Sequence, residues 1–261
     1  MKSFNFKSAT NTKEAAKLAS GRATFLAGGM SLLPAMKLRL AGYSDLINIK
    51  KIKSLSGIKV SSKSLRIGAT TTHAEVARSK EVGKSISSLG ILAEGIGDPQ
   101  VRNRGTIGGS IANNDPAADY PSACLALNAI IHTSKRKIAA DKFFKGMFET
   151  DLKKGELIEA VEFEVPEKSA YAKYPNPASR YAVVGVYVAK FKKEVRVSVT
   201  GAGSFVFRSK ELESALTDNF SPSAIDNINI SNKGLNSDIH ASSEYRAHLI
   251  KVMTRKAVSS C

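Results

Sequence analysis

Cysteine is nearly absent from this 261-residue sequence: Cys124 lies inside an apolar run and Cys261 is the last residue given. Two thiols can build neither a disulfide framework nor a four-thiolate site, so the chain cannot hold an iron–sulfur cluster of its own. Histidine is almost as sparse. His73, His132, His240 and His248 are scattered without the close pairing a zinc site requires. No apolar run approaches the roughly 20 residues that span a bilayer. The start, Met1 to Lys7, lacks the apolar core of a signal peptide, and a cytoplasmic protein is expected. Acidic residues are in short supply too: 23 Asp and Glu against 39 Lys and Arg give a formal net charge of +16. A basic surface attracts nucleic acid, anionic lipid or an acidic partner. Here the lysines run along the whole chain, and clusters such as Lys135-Arg136-Lys137 lack the aromatic platforms of a nucleic-acid-binding sheet. The expected reading is a solvated basic face that docks acidic subunits. Finally, no Ser-His-Asp, Cys-His or paired-carboxylate arrangement stands out. Any reaction would then be carried by a bound cofactor, the protein supplying binding, orientation and tuning.

What is present is an ordinary globular composition, 43% hydrophobic and 24% charged, long enough for two modest cores. A strand-like start precedes a helix from Asn11, whose side chain is a capping candidate. Ala23 to Leu26 reads as a strand, Ala27 to Ser31 as a glycine turn, and the stretch after Pro34 as helix-like. Asp45 to Ile49 reads as a buried strand, and Ile58 to Val60 with Leu65 to Ile67 as a hairpin. Thr72 to Ala77 and Ser85 to Ile96 carry helical spacing. The turn-formers from Gly97 to Ser110 predict a long ordered loop. Pro121 marks a helix start leading through Leu125 and Leu127 to Ile130. Leu157 to Val165 reads as a strand, and Pro166, Pro175 and Pro177 mark a domain boundary. Beyond it come strands at Val183 to Phe191 and Val195 to Thr200, a Gly201-Ala202-Gly203 turn, and helices near Lys210 to Leu216 and Ser243 to Val258. The last should pack through Tyr245, Leu249, Val252, Met253 and Val258.

Two glycine pairs share a chemistry. Gly28-Gly29 is followed by Ser31, and Gly108-Gly109 lies between Thr106 and Ser110. Each offers backbone N–H groups unobstructed by side chains, plus hydroxyls, which together suit a pyrophosphate. Each is equally readable as a plain tight turn. The familiar phosphate loops fail: Gly201-Ala202-Gly203-Ser204-Phe205-Val206 lacks the third glycine of a dinucleotide fingerprint, and Arg78 stands where a Walker loop before Gly83-Lys84-Ser85 needs glycine.

Ala27-Gly28-Gly29-Met30-Ser31-Leu32-Leu33-Pro34 resembles the first FAD-binding loop in the medium subunit of molybdenum hydroxylases, the group of aerobic carbon monoxide dehydrogenase and xanthine dehydrogenase. Asp98 to Gly109, with Asn113, Asp115-Pro116-Ala117-Ala118-Asp119 and Pro121, is similar to that family's longest signature. Thr72-His73-Ala74-Glu75 and Ser179-Arg180-Tyr181 also fit, so the resemblance covers essentially the whole chain. Met30 departs from it, standing where a polar residue is common. The resemblance implies an α+β fold: a two-subdomain FAD-binding domain of the molybdenum-hydroxylase and vanillyl-alcohol-oxidase-like type over 1–166, and a small α+β C-terminal domain over 167–261. It implies FAD held by Ala27, Gly28, Gly29, Met30 and Ser31 and by Thr106, Ile107, Gly108, Gly109 and Ser110, through backbone amides and hydroxyls. Asp119 would accept from a ribitol or ribose hydroxyl, or else cap the helix before Pro121. Tyr181 would cover one face of the isoalloxazine, or else serve as core or interface. Arg102 and Arg104 would meet phosphates or anchor the loop to carbonyls. The implied role is electron transfer from two [2Fe–2S] clusters of a small subunit to an external acceptor, with the molybdenum cofactor in a large subunit and the complex open to association with the inner face of the membrane. A xanthine- or aldehyde-dehydrogenase type is the neighbouring alternative. A basic, non-enzymatic nucleotide- or polyanion-binding protein is the alternative of another class.

Overall fold

A computed structural model describes residues 1–261. The chain first winds a parallel sheet in the order Asn5–Ser8, Asp45–Asn48, Ala23–Leu26, with helices Thr12–Leu18 and Leu32–Lys37 as crossovers. Asn11 starts the first helix by accepting the Glu14 amide at 2.9 Å, which satisfies one of the donors left over at a helix start. The core here is small, built on Ile47, Ile49, Ile52 and Leu55, and Leu157 from the next layer closes it.

The second layer is an antiparallel sheet in the order Ile58–Val60, Ser64–Gly68, Ile158–Glu164, Ile130–Thr133, Lys137–Ala139. Short helices cover it and bury Leu65, Ile67, Leu89, Ile107, Ile111, Tyr120, Phe143 and Phe163. Two expectations are corrected. The stretch from Gly97 to Ser110 is not a loop but two helices, Pro99–Arg104 and Ile107–Asn113. Asp98 caps the first by accepting from Val101 N at 2.8 Å, and Thr106 caps the second by accepting from Gly109 N at 3.1 Å. The helix at Pro121 spans only Tyr120–Ala126, because Asn128 turns left-handed at φ 49° and Ile130 opens a strand.

The third layer is an antiparallel sheet, Lys168–Pro175, Ala182–Lys190, Val195–Thr200, Phe207–Arg208. Its first strand occupies the proline-punctuated stretch expected as a boundary. Pro175 is tolerated there because it ends an edge strand. Ala182–Lys190 is buried on both faces: Val184, Val186 and Val188 pack with the C-terminal helices, Tyr187 and Ala189 with the helices of the second layer. In Ser243–Ser259 the buried stripe runs through Arg246, Leu249, Ile250, Met253 and Ala257. Tyr245 and Val252, expected inside, are 42% and 38% exposed.

Polar ties cross the same wall. Arg196 is buried, donates Nε to Leu125 O at 3.0 Å and pairs with Asp141 at 2.9 Å. Thr200 Oγ1 donates to the carbonyls of Pro116 and Ala118. Arg196→Met is expected to cost about 2 kcal/mol, since it strands a buried carbonyl that had a charged donor. Urea unfolding checks this. No helix is long and apolar enough to cross a membrane.

Candidate functional site

A cleft of about 570 Å³ opens between the first two layers, with the turn before Ala182 at its rim. That volume is within the usual range of small-molecule sites. Ala27, Gly28, Gly29, Met30 and Ser31 line it together with Thr106, Gly108, Gly109, Ser110, Asp119 and Tyr181. Eleven of the twelve residues singled out from the sequence therefore meet at one cavity. Ile107 does not. It is fully buried in the second core, and its amide is spent on Thr71 O at 3.1 Å.

The two glycine pairs turn out to be different devices. Strand Ala23–Leu26 delivers the chain to the cleft, and helix Leu32–Lys37 takes it away. Between them, the amides of Ala27, Gly28, Gly29, Met30 and Ser31 find no acceptor in the chain. Such a run of unpaired donors needs an outside acceptor. Gly29 holds φ +75°, and a Cβ on Gly28 would lie 2.2 Å from Arg104 O. The first loop thus presses on the second across the cleft floor, leaving room only for hydrogen.

In the second loop four of the five amides are already committed, and only Thr106 N finds no acceptor in the chain. Gly108 N donates to Ala69 O at 2.9 Å, Gly109 N to Thr106 Oγ1 at 3.1 Å and Ser110 N to Thr106 O at 3.0 Å. The expectation that residues 106–110 present free amides is corrected for 107–110; the Thr106 amide alone is unpaired. Gly108 is glycine for packing, since its Cβ would meet Ala69 Cβ at 2.6 Å. What this loop can offer a ligand is a wall, with the Thr106 amide and the hydroxyls of Thr106 and Ser110.

Asp119 is 4% exposed and caps nothing with its side chain. Its Oδ1 accepts from Tyr171 OH at 2.5 Å and from Lys173 Nζ at 2.9 Å. Burial raises its pKa, while the Lys173 charge and these bonds oppose the rise. Arg102 anchors to the carbonyls of Ile96 and Gly97, each at 3.1 Å. Tyr181 is 43% exposed at the rim, and burial, with the charges of Asp115 and Asp119, raises its phenol pKa. Met30 is 37% exposed. It offers the cleft an apolar side chain in place of a polar one.

Three groups escaped the reading of the sequence as site residues: His73 in the cleft wall, and Tyr171 and Lys173 behind it on Asp119. His73 lines the cavity with a buried Nδ1 that has no partner, 5.4 Å from the ring of Tyr120, whose hydroxyl is also unpartnered. Its capping neighbours Thr72 and Glu75 were a signal for its place at a helix start. Tyr171 and Lys173 had none, because alternate residues of a strand read alike whatever they face.

The sequence profile described as "FAD binding domain in molybdopterin dehydrogenase" matches residues 2–167. The chain is 35% identical to the glyceraldehyde dehydrogenase medium chain of Sulfolobus acidocaldarius, over 97% of this chain and 96% of that one. It is 36% identical to the carbon monoxide dehydrogenase medium chain of Hydrogenophaga pseudoflava, over 71% of this chain and 69% of that one. The fold superposes on reconstituted CO dehydrogenase from Oligotropha carboxidovorans with a TM-score of 0.92 and 28% identity, covering 99% of this chain and 97% of that one.

Proposed function

Because the chain belongs to the FAD-binding domain family of molybdopterin dehydrogenases, and is the FAD subunit of a molybdenum hydroxylase, we propose that it carries electrons from the iron–sulfur clusters of a small partner subunit to an external acceptor. The observation that carries this reading is the row of unpaired amides from Ala27 to Ser31 along the cleft. A diphosphate is the acceptor such a row suits, since its oxygens take several N–H donors at once. FAD, when bound, supplies the redox chemistry.

The residues divide the remaining work. Gly28 and Gly29 let the first loop approach the second and hold its amides inward. Ser31, Thr106 and Ser110 add hydroxyls. Phe25, Tyr43, Ile49 and Ile96 exclude water from the cleft walls. Tyr181, half-exposed at the rim, would shield one face of the ring system.

The test is an absorbance spectrum of the purified chain from about 300 to 700 nm, with the released chromophore identified by mass. Flavin bands and FAD are expected. A chain that refuses added FAD even when assembled with its partners would overturn the reading.

The assembled enzyme's substrate is chosen in another subunit. The sequence matches a glyceraldehyde dehydrogenase medium chain nearly end to end, and the fold matches a CO dehydrogenase chain nearly end to end. Reduction of the complex's flavin by an aldehyde or by carbon monoxide tells the two assemblies apart.

A further inference from the structure

Lys173 stands where three segments meet. Its Nζ donates to Gly95 O at 2.8 Å and to Arg180 O at 3.0 Å, and it pairs with Asp119 at 2.9 Å. The two side chains are 10% and 4% exposed. Tyr171, on the same face of the strand, gives its hydroxyl to the same Asp119 oxygen. Gly95 follows helix Ser87–Glu94 of the second layer, and Arg180 immediately precedes Tyr181.

The turn that carries Tyr181 closes on itself, Asn176 N donating to Tyr181 O and Arg180 N to Asn176 O, each at 2.8 Å, but these bonds do not fix it to the second layer. Asn176 Oδ1 accepts the amides of Ala178 and Ser179, but Arg180 sits at φ 62°, a left-handed conformation that costs a non-glycine residue energy. Outside the turn, Arg180 Nη1 reaches Gly97 O at 3.1 Å, Ala182 N reaches Ala117 O at 3.3 Å just past its end, and a third tie runs through Lys173.

We infer that Lys173 is a positioning residue: its ammonium, seated on Asp119 and two carbonyls, fixes the turn over 176–181 against the second layer and so sets Tyr181 over the cleft. The inference rests on reading that cleft as the FAD site. An ammonium has three donors and no acceptor, and three acceptors converge on this one. Arginine could not replace it, because a planar fork spreads its donors apart. Asp119 then serves first as the seat of the ammonium.

The test compares Lys173→Met and Asp119→Asn with the parent chain, each loaded with FAD. Amide exchange over 176–181 is read alongside the bound flavin's emission, which a stacked aromatic ring quenches. Lys173→Met is expected to raise exchange in this turn about tenfold or more, the scale of a lost charged hydrogen bond. It should also release flavin emission while FAD stays bound. Asp119→Asn keeps both carbonyl bonds and should move both readings less. Parent-like exchange and emission in Lys173→Met would overturn the inference. If no variant, nor the parent, binds FAD, the cofactor reading fails, and the exchange measurement still decides the role of Lys173. Should Lys173→Met fail to fold because it leaves a carboxylate buried alone, the double variant Lys173→Met/Asp119→Asn removes that charge and takes its place.

Discussion

Gly28→Ala is expected to strip the chain of FAD while leaving it folded. The new Cβ would lie 2.2 Å from Arg104 O and 2.8 Å from both Arg104 C and Gly105 Cα. All three are backbone atoms. They cannot swing aside as the end of a side chain can, so the first loop must lift off the second. Overpacking of this kind costs about 1–3 kcal/mol or more, and it falls on the cleft-lining loop whose five amides have no acceptor in the chain. Affinity for FAD should drop by at least about 100-fold, since displaced amides lose their geometry toward the ligand as well. The cores of the second and third layers are built from other residues, so cooperative unfolding should persist. Titration calorimetry with FAD and thermal unfolding separate the two effects. Gly83→Ala is the control: Gly83 lies inside helix Lys80–Ser85 with nothing within 4 Å of a Cβ. That change should add roughly 0.5–1 kcal/mol of stability and leave FAD binding alone. Full FAD occupancy in Gly28→Ala would refute the assigned role of the first loop.

This contrast also shows where the sequence was legible. The first glycine pair follows a β-prone run and precedes a helix-like one, and the structure has a strand, a turn and a helix at those places. The second pair looked the same in sequence and does something else. Whether a glycine amide is free depends on what lies opposite it, and Ala69, whose carbonyl takes the Gly108 amide, is distant in the chain. Aspartate, proline and threonine between Gly97 and Ser110 were read as loop formers, yet Asp98-Pro99 and Thr106 also fit the first positions of helices, and packing against the second core decided for helix. Lys173 was one cation among many. Only the topology, which lays its strand between Gly95 and the turn at Arg180, distinguishes it from the solvated lysines.

Acid is expected to destabilise the chain through His73. Burial first, and then the nearby Arg102 charge, lower its imidazole pKa from 6.5 to about 4. In the folded chain it stays neutral across that window, while in the unfolded chain it takes up a proton as the pH falls below 6.5. The unfolded state therefore binds more protons between the two values, and stability falls as pH falls. The loss grows to about 3 kcal/mol once the pH is below the folded value, each pH unit of separation being worth about 1.4 kcal/mol. His73→Leu should keep most of the neutral-pH stability, because Nδ1 has no partner to lose. It should also remove about 2 kcal/mol from the stability lost between pH 7 and pH 5, measured as urea unfolding of variant against parent. An unchanged difference between the two pH values would show that this imidazole is not held neutral. Gly105 explains why the burial is so deep: a Cβ there would lie 2.6 Å from His73 Nε2, so only glycine lets the ring lie flat against the second loop. Gly105→Ala should push the imidazole toward water and raise its pKa toward the ordinary value, and the acid loss traceable to His73 should shrink with it. The same hydrogen-sized gap that brings the two loops together across the cleft floor at Gly28 therefore keeps a cation out of the cleft wall at Gly105.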